Sequence, residues 1–300
     1  MPESRKPRSR RGQPLVALLF GLPLLFFYGV YYLYSFGFLV KTSRLTVSLT
    51  FVNAVNVGWS NFYLVITDPR FLRSLTNTFA FAAISIAVSL TLGFGIAVML
   101  ATGVRWRQFM YAVFLLPSLI PLSLFGTVFG QMLETRDGAL NWLLRGVGLG
   151  GLQQDWLGAA GPAYVAVTIL LIYMIGLPIM YYTSDIPAAN LDLIEASLLD
   201  GASVGQIFRL MLFPLLRTTH VTVVLSVLLG SLRAFDLIYF STAGQPGGKT
   251  GIVGTYIYSA ALGANRVGYA AAAAIIVLVV ALLVSVAQMV ITHRSVSHGH

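Results

Sequence analysis

Long stretches without a charged side chain constrain this chain more than any other feature. Five of them exceed the roughly 20 residues that an α-helix needs to cross a bilayer. A sixth apolar run, at about 213–240, is interrupted by Arg217, Arg233 and Asp236. Because lipid cannot hydrogen-bond with the backbone, helices are the expected solution, and we predict an all-α polytopic membrane protein with six transmembrane helices. The uncharged runs cover residues 12–40, 74–104, 108–133, 156–184 and 267–293.

The small share of charged residues also places most of the surface in lipid. Charged residues make up 10% of the 300 and hydrophobic residues 57%, whereas roughly a quarter of a soluble protein is charged. The absence of cysteine excludes disulfides and thiolate metal sites. The net charge of +9 does not indicate nucleic acid, because the basic residues lie at the ends of apolar runs. The expected surroundings are the lipid bilayer.

The basic residues around the first helix predict its orientation. Five of them lie within residues 5–11, whereas only Lys41 and Arg44 closely follow the helix, and cytoplasmic segments usually carry the excess of positive charge. Both termini are therefore expected in the cytoplasm. A cleaved signal peptide is the competing interpretation, which the long apolar segment and the lack of a small-x-small site disfavour. The predicted divisions are a basic cytoplasmic tail at 1–13, a first transmembrane helix with an extracellular segment at 14–73, a transmembrane core at 74–293 and a cytoplasmic tail at 294–300.

Three local patterns predict features within or between the spans. Apolar and polar residues alternate over 45–51, which predicts a short extracellular strand. Residues 138–144 carry apolar side chains at helical spacing, which predicts a helix on the outer membrane face. Pro117 and Pro121 predict a bend in helix 3, either for packing or for direct contact with a substrate.

An acidic segment interrupts the membrane pattern between helices 4 and 5. Asp185, Asp192, Glu195 and Asp200 are four of the ten acidic residues and fall within sixteen positions, on the side where positive charge usually collects. Carboxylates at helix starts are one explanation, because the helix dipole favours them there. A docking surface for a cytoplasmic partner is the other. Gly201 and the apolar spacing around it predict a helix-turn-helix along the inner membrane surface.

The same segment resembles the cytoplasmic EAA loop of the membrane subunits of ABC importers. It reads E-A-S-L-L-D-G-A from Glu195 and closes at Pro214, where the next apolar run starts. Ser197 replaces the second alanine of the common motif, one small side chain for another. In this family the loop, called the coupling helix, sits in a groove of a separate ATPase subunit. The resemblance assigns that docking role to Glu195, Ala196, Ser197, Asp200, Gly201, Ala202, Gly205 and Ile207.

Two further stretches resemble the carbohydrate-uptake members of that family. The pattern F-D-x-I-Y-x-x-T-x-G-x-P-x-x-x-T occupies residues 235–250, and a G-x-x-N-[FY] element followed by D-P-x-F and N-T occupies residues 58–78. Asn77 and Thr78, which fill the last two places, could alternatively do no more than cap helix 2, expected over about 75–101.

Residues 243–250 also fit the loose P-loop pattern [AG]-x-x-x-x-G-K-[ST]. A P-loop joins a buried strand to a helix in a soluble sheet, whereas this segment follows a predicted transmembrane helix and lies on the outer side. Nucleotide binding by this chain is therefore not expected.

The resemblance is to permease subunits of the maltose, glycerol-phosphate and trehalose type. It implies the type I ABC importer permease fold, with a coupling helix between helices 4 and 5, in the bacterial cytoplasmic membrane. It also implies a transport subunit without catalysis, since ATP and Mg²⁺ would bind to the partner. The implied partners are a cytoplasmic ATPase dimer, a second permease subunit that is expected to be a related chain, and an extracellular solute-binding protein.

Helices 4 and 5 line the translocation path in the sugar-type permeases. Arg233 and Asp236 are three residues apart, hence on one helix face near the outer part of the span, and could touch the solute or brace the bundle as an ion pair. Few of the assigned residues are charged, which favours a neutral solute, and no metal site is expected from the histidines of the tail. The residues assigned to the path are Tyr173, Leu177, Gly230, Ser231, Ala234, Arg233 and Asp236.

Two other classes of membrane protein compete with the importer subunit. A stand-alone secondary transporter or channel is the alternative, although the sequence has no inverted repeat and no run of central carboxylates for ion coupling. A membrane-embedded enzyme is the third, although no span carries a convincing nucleophile, metal cluster or acid/base pair.

Overall fold

A computed structural model describes residues 13–101, 104–173, 175–188, 197 and 200–297, and these are mainly helical. The helices are α1 (Gln13–Ser43), α2 (Ser60–Ile66), α3 (Pro69–Val88), α4 (Phe94–Ala101), α5 (Arg107–Leu119), α6 (Leu122–Met132), α7 (Ala139–Gly146), α8 (Ala160–Tyr173), α9 (Gly176–Asp185), α10 (Val204–Gln206), α11 (Phe213–Leu215), α12 (Arg217–Leu232), α13 (Phe235–Thr242), α14 (Val253–Tyr258) and α15 (Val267–Ser297).

Shorter elements complete the described fold. The π-helical turns join α3 to α4 and α10 to α11 and extend α14, and two 3₁₀ turns follow α7 and α9. A two-stranded antiparallel hairpin follows α1. The π-helical turns are Ser89–Gly93, Ile207–Leu212 and Ser259–Gly263, the 3₁₀ turns are Gly150–Leu152 and Ile186–Ala188, and the strands are β1 (Leu45–Thr46) and β2 (Val55–Asn56).

The long apolar helices account for the predicted spans. Within the described residues, four stretches are long and apolar enough to cross a membrane singly. Two bent pairs could each cross it as one unit: α5 with α6, bent by 98°, and Ile207–Leu215 with α12, bent by 70°. Counting each pair as one span gives the six predicted transmembrane helices and confirms the all-α polytopic class. The single stretches are Leu18–Ser43, Pro69–Ala101, Ala160–Asp185 and Val267–Val290.

The bend in the third span lies where the prolines predicted one. Helix α5 ends at Leu119, and Ile120 and Pro121 adopt extended backbone angles before α6 begins. Proline has no N–H to donate and disfavours helical geometry in the residue before it. The sharp turn therefore follows from Pro121, whereas Pro117 lies inside α5.

Two glycines in α6 allow its backbone to touch α13. A Cβ atom on Gly126 would lie 2.7 Å from the carbonyl oxygen of Leu237, and one on Gly130 would lie 3.3 Å from that of Ser241. Small residues four apart permit such close approach between membrane helices. The sequence interpretation missed this pair, although its G-x-x-x-G spacing was a usable signal.

The second span begins earlier than predicted. Asp68 caps α3, because its Oδ1 atom accepts a 2.8 Å hydrogen bond from the amide of Arg70, and Pro69 takes the first helical position. Aspartate before proline is a favourable helix start. The predicted start near residue 75 is therefore wrong, and Asn77 and Thr78 lie too deep in the helix to cap it.

The predicted strand is shorter than its alternating pattern suggested. Among the described residues 45–51, only the two residues of β1 pair with β2. Phe51 and Asn53 have positive φ angles near 55°, which are typical of turns. The amide of Leu49 donates instead to the Oδ1 atom of Asn265, 2.8 Å away. The alternation over residues 45–51 therefore reflects a hairpin whose tip turns away early. The predicted helix over residues 138–144 is present as α7.

Candidate functional site

A small cavity lies where the predicted solute path was expected. Its volume is about 210 Å³, and it lies between α3, α6, α8, α9, α12 and α13. Leu177, Gly230, Ser231 and Ala234, four of the seven residues assigned to the path, are among its lining residues. The others are Ser85, Ser89, Leu122, Leu171, Ile175, Pro178, Ser226, Val227 and Leu237.

The cavity lining is apolar except for serine hydroxyls. The Oγ atom of Ser231 donates to the carbonyl of Val227 at 2.9 Å, and that of Ser226 donates to Val223 at 3.1 Å. A hydroxyl oxygen that donates to its own helix still has lone pairs with which to accept a further hydrogen bond. None of the described residues that line the cavity is charged, so its chemistry suits an uncharged, hydroxyl-bearing solute.

Arg233 and Asp236 do not behave as the sequence predicted. Helix α12 ends at Leu232, and α13 begins at Phe235 after a break, so the two residues do not share one helix face. Both are described and exposed, and they form no ion pair with each other. Asp236 lies in the first turn of α13, where the helix dipole stabilises a carboxylate. The predicted brace is therefore wrong.

Only part of the predicted coupling helix lies within the described residues. Glu195 and Ala196 lie outside them, as does the side chain of the path residue Tyr173. The carbonyl of Ser197 accepts a 2.9 Å hydrogen bond from the amide of Ala202. Gly201, between them, has a φ angle of +85°, a left-handed geometry that glycine adopts without strain. The predicted turn at Gly201 is confirmed.

A capping box starts the helix after this turn. The amide of Ser203 donates to Oε1 of Gln206 at 2.8 Å, and the amide of Gln206 donates back to Oγ of Ser203 at 3.3 Å. Such reciprocal bonds define a helix start. Asp200, Gly201 and Gly205 are exposed before or beside it, whereas Ile207 is buried. The segment thus anchors one apolar residue in the bundle and leaves the turn accessible.

Polar side chains join the helices on either side of this segment. The Tyr182 hydroxyl lies 2.7 Å from Nδ1 of His220, and Nε2 of His220 lies 2.9 Å from the carbonyl oxygen of Phe213. Because that oxygen can only accept, Nε2 carries the proton, and in the neutral ring Nδ1 accepts from Tyr182. The Thr219 hydroxyl donates to Oδ2 of Asp185 at 2.6 Å. The sequence interpretation missed His220, although a histidine within an apolar span was a usable signal.

The loop that follows α13 is held by α3. The Nδ2 atom of Asn77 donates to the carbonyls of Lys249 and Gly251, each at 2.9 Å, and Oγ1 of Thr78 accepts from the amide of Val253 at 3.1 Å. These contacts show that Asn77 and Thr78 fasten a distant loop. Thr250, on that loop, is fully buried.

The same loop does not have P-loop architecture. It connects helix α13 to helix α14, with no strand in the described residues 243–252 between them. A P-loop requires a buried strand before the phosphate-binding turn. The glycines serve the turn instead, since Gly244, Gly247 and Gly248 all have positive φ angles.

Asp68 connects three elements near this loop. Its Oδ2 atom accepts hydrogen bonds from the hydroxyls of Tyr256 at 2.7 Å and Tyr269 at 3.1 Å. Partial burial alone would raise the pKa of Asp68, but the hydrogen bonds from Tyr256 and Arg70 outweigh it, and the pKa lies below its ordinary value. Burial and these contacts raise the pKa of Tyr256. The start of α3 is thus fixed against α14 and α15.

Comparison with known proteins identifies the architecture. Residues 89–296 match the family described as the inner membrane component of binding-protein-dependent transport systems. The probable ABC transporter permease protein YurN of Bacillus subtilis is 31% identical over 236 residues, which cover 78% of this chain and 81% of YurN. The multiple sugar-binding transport system permease protein MsmF of Streptococcus mutans is 27% identical, with 91% and 92% covered.

A solved structure shares the fold over nearly the whole length. A chain from a bacterial alginate ABC transporter, in complex with an alginate pentasaccharide-bound periplasmic protein, aligns with a TM-score of 0.79. The alignment covers 95% of this chain and 96% of that chain at 22% identity. The long family match, the helical architecture and the similar permeases lead to one conclusion: this chain belongs to the family of inner-membrane components of binding-protein-dependent transport systems and is an ABC importer permease.

Proposed function

We propose that this permease imports a neutral sugar or sugar derivative, which an extracellular binding protein delivers and a separate ATPase dimer powers. The observation that carries the proposal is the uncharged, serine-bearing cavity between α3, α9 and α12. Sugars present many hydroxyl groups and no charge, and specificity in such pockets comes from a few placed polar groups. The names of two relatives, the multiple sugar-binding permease MsmF and the trehalose/maltose permease MalF of Thermococcus litoralis, support this solute class.

The size of the cavity supports a second permease as partner. Pockets for small molecules usually enclose about 300–1,000 Å³, whereas this one encloses about 210 Å³. A second permease facing it, either a copy or a related chain, would enlarge the space and complete the path. Leu177, which is 45% exposed in this chain, would then lie near the junction.

The exposed turn at Asp200 and Gly201 supports docking of the ATPase. A cleft of about 320 Å³ beside it is lined by Asp200, Gly201, Ala202, Gln206, Ile207, Leu210 and Met211. In this proposal the turn, together with Glu195, Ala196, Ser197 and Gly205, enters a groove of the ATPase. ATP and Mg²⁺ bind to that subunit, and this chain is not an enzyme.

The charge pattern supports the orientation of the permease. Five basic residues precede α1 within residues 5–11, and the cytoplasmic side usually carries such excess. With six spans, both termini and the turn at Gly201 then lie in the cytoplasm of a bacterium, and the loop fastened by Asn77 lies outside.

Copurification and uptake would test the proposal together. The tagged chain should bring down an ATPase and a second permease, and the complex should take up the sugar found by mass spectrometry in the associated binding protein. We expect Ser231→Trp, which fills the cavity, to abolish uptake and preserve assembly. Thr222→Trp, at an exposed position of the same helix, is the matched control.

Two results would contradict this function. Uptake by the isolated chain in liposomes, without ATP or another subunit, would favour a stand-alone transporter or channel. Undiminished uptake by a correctly assembled Ser231→Trp complex would show that the solute passes elsewhere.

A further inference from the structure

His220 is buried at the start of α12, the helix that follows the segment with the exposed turn. It is 9% exposed and lies in the first turn of α12, while its partner Tyr182 is fully buried in α9. These two helices are the ones that flank residues 186–216. The hydrogen bond of 2.7 Å between Tyr182 and His220 therefore links α9 to α12, although the two residues are 38 positions apart in the sequence.

The imidazole holds a third element as well. Its Nε2 atom lies 2.9 Å from the carbonyl oxygen of Phe213, which begins α11 immediately before α12. The ring also packs on aromatic neighbours, with centroids 4.2 Å from Phe213 and 5.3 Å from Phe94. Both ring nitrogens are thus used, and they join α9, α11 and α12 around α4.

A second link lies one residue away. The Thr219 hydroxyl donates to the Asp185 carboxylate at 2.6 Å, and Thr219 is 4% exposed. Asp185 is the last residue of α9. The end of one flanking helix and the start of the other are therefore joined twice, by hydrogen bonds between their own side chains.

We propose that His220 is a positioning residue for energy coupling: with Tyr182, Thr219 and Asp185 it makes the two helices flanking the docking segment move as one unit. This inference rests on the proposed function. Separating α9 from α12 would leave Nδ1 of His220 and the hydroxyl of Tyr182 unpaired in a low-dielectric region, which is unfavourable. Displacement of the segment by the ATPase is therefore passed to both helices, and both line the solute cavity.

Three conservative substitutions separate a positioning role from a purely structural one. Tyr182→Phe keeps the ring and its packing on Phe94 but removes the hydroxyl. Thr219→Val keeps the side-chain shape but removes the bond to Asp185. Thr222→Val makes the same change at an exposed position three residues along α12, where the hydroxyl bonds only to its own helix at Thr218, and serves as the matched control.

The test uses the complete importer, reconstituted in lipid nanodiscs with its ATPase and second permease. ATP hydrolysis is measured without and with the binding protein, purified from cells with its native solute bound. We expect Tyr182→Phe and Thr219→Val to assemble normally and to reduce the stimulation of ATPase activity by the binding protein about fivefold each, as for one hydrogen bond lost. The control should keep wild-type stimulation.

Several outcomes separate this inference from the function on which it rests. Wild-type stimulation in assembled Tyr182→Phe and Thr219→Val complexes would overturn the positioning role and leave the proposed function intact. Equal loss in the Thr222→Val control would also overturn it. A wild-type chain that binds no ATPase would overturn the proposed function itself. If one variant fails to assemble, the other decides the question alone.

Discussion

The two loops that interrupt the transmembrane core are held in different ways. The loop at residues 243–252 is held by hydrogen bonds from another element, α3, through Asn77 and Thr78. Its residue Thr250 is completely buried. The described part of the acidic loop is closed by hydrogen bonds between near neighbours, such as Ser203 with Gln206, and exposes its turn. The first loop is held by contacts within this chain, whereas the second leaves its turn exposed, as the proposed docking of an ATPase requires.

The difference shows which contacts fix the helices around each loop to one another. Around the first loop, the backbone contact of α6 with α13 and the Asp68 network fix neighbouring helices to one another. Around the second, the described contacts between helices lie where α9 ends and α12 begins, at Tyr182 and His220. Substitutions at the two loops should therefore affect different properties, stability in one case and coupling in the other.

The largest effect is expected from Gly126→Val. Its Cβ atom would lie 2.7 Å from the carbonyl oxygen of Leu237, so α6 and α13 must separate, and overpacking of this kind destabilises by about 3 kcal/mol. Thermal unfolding of the purified chain in detergent should show a clearly lower midpoint. Gly95→Ala, at a helical position with no atom within 4 Å of the added Cβ, is the control. Equal midpoints for both variants would contradict the close α6–α13 contact.

Asn77→Leu should have the next largest effect. It leaves the carbonyls of Lys249 and Gly251 without their donor, which destabilises the loop by about 2 kcal/mol. Trypsin should then cleave after Lys249 faster than in the wild type, because local opening of the loop becomes more frequent. Thr76→Ala removes a hydroxyl that bonds within its own helix and should leave the cleavage rate unchanged. Unaltered cleavage in Asn77→Leu would show that the loop is held by other contacts.

The sequence predicted the spans well because hydrophobic length is a local property. The prolines at 117 and 121 predicted the bend, and Gly201 predicted its turn, since each acts through its own backbone. The predicted brace between Arg233 and Asp236 failed because a helix break between them depends on tertiary packing. Asn77 was taken as a possible cap because its real partners lie more than 170 residues further along the chain.

Gly201→Ala tests the acidic loop itself. Alanine at a φ of +85° is strained by roughly 1–2 kcal/mol, and a Cβ there would meet no other atom, so the effect comes from the backbone alone. We expect the turn to relax locally and so relieve this strain, which weakens ATPase retention in a pull-down about tenfold and leaves the unfolding midpoint near that of the wild type. Gly150→Ala, equally open, without a positive φ and outside the docking segment, should bind normally. A lower midpoint with normal retention would reverse the assignment of the two loops.

The smallest effect concerns pH and the Asp68 network. The pKa of Asp68 is lower in the folded chain than its ordinary value near 3.9, so the unfolded state binds more protons as the solution becomes acidic. The stabilisation by this carboxylate is thus present above about pH 4 and is lost as the pH falls through the folded-state pKa. The unfolding midpoint of the wild type should therefore fall further between pH 5 and pH 3 than that of Asp68→Asn.

Asparagine is a suitable replacement because it also caps helices and can accept a hydrogen bond from Tyr256. The variant therefore removes the charge and keeps most of the geometry. Asp137→Asn, at an exposed position, should follow the wild-type pH profile. If Asp68→Asn follows that profile too, the network fixes α3 through hydrogen-bond geometry alone, and the carboxylate charge adds nothing to the rigidity of this end of the molecule.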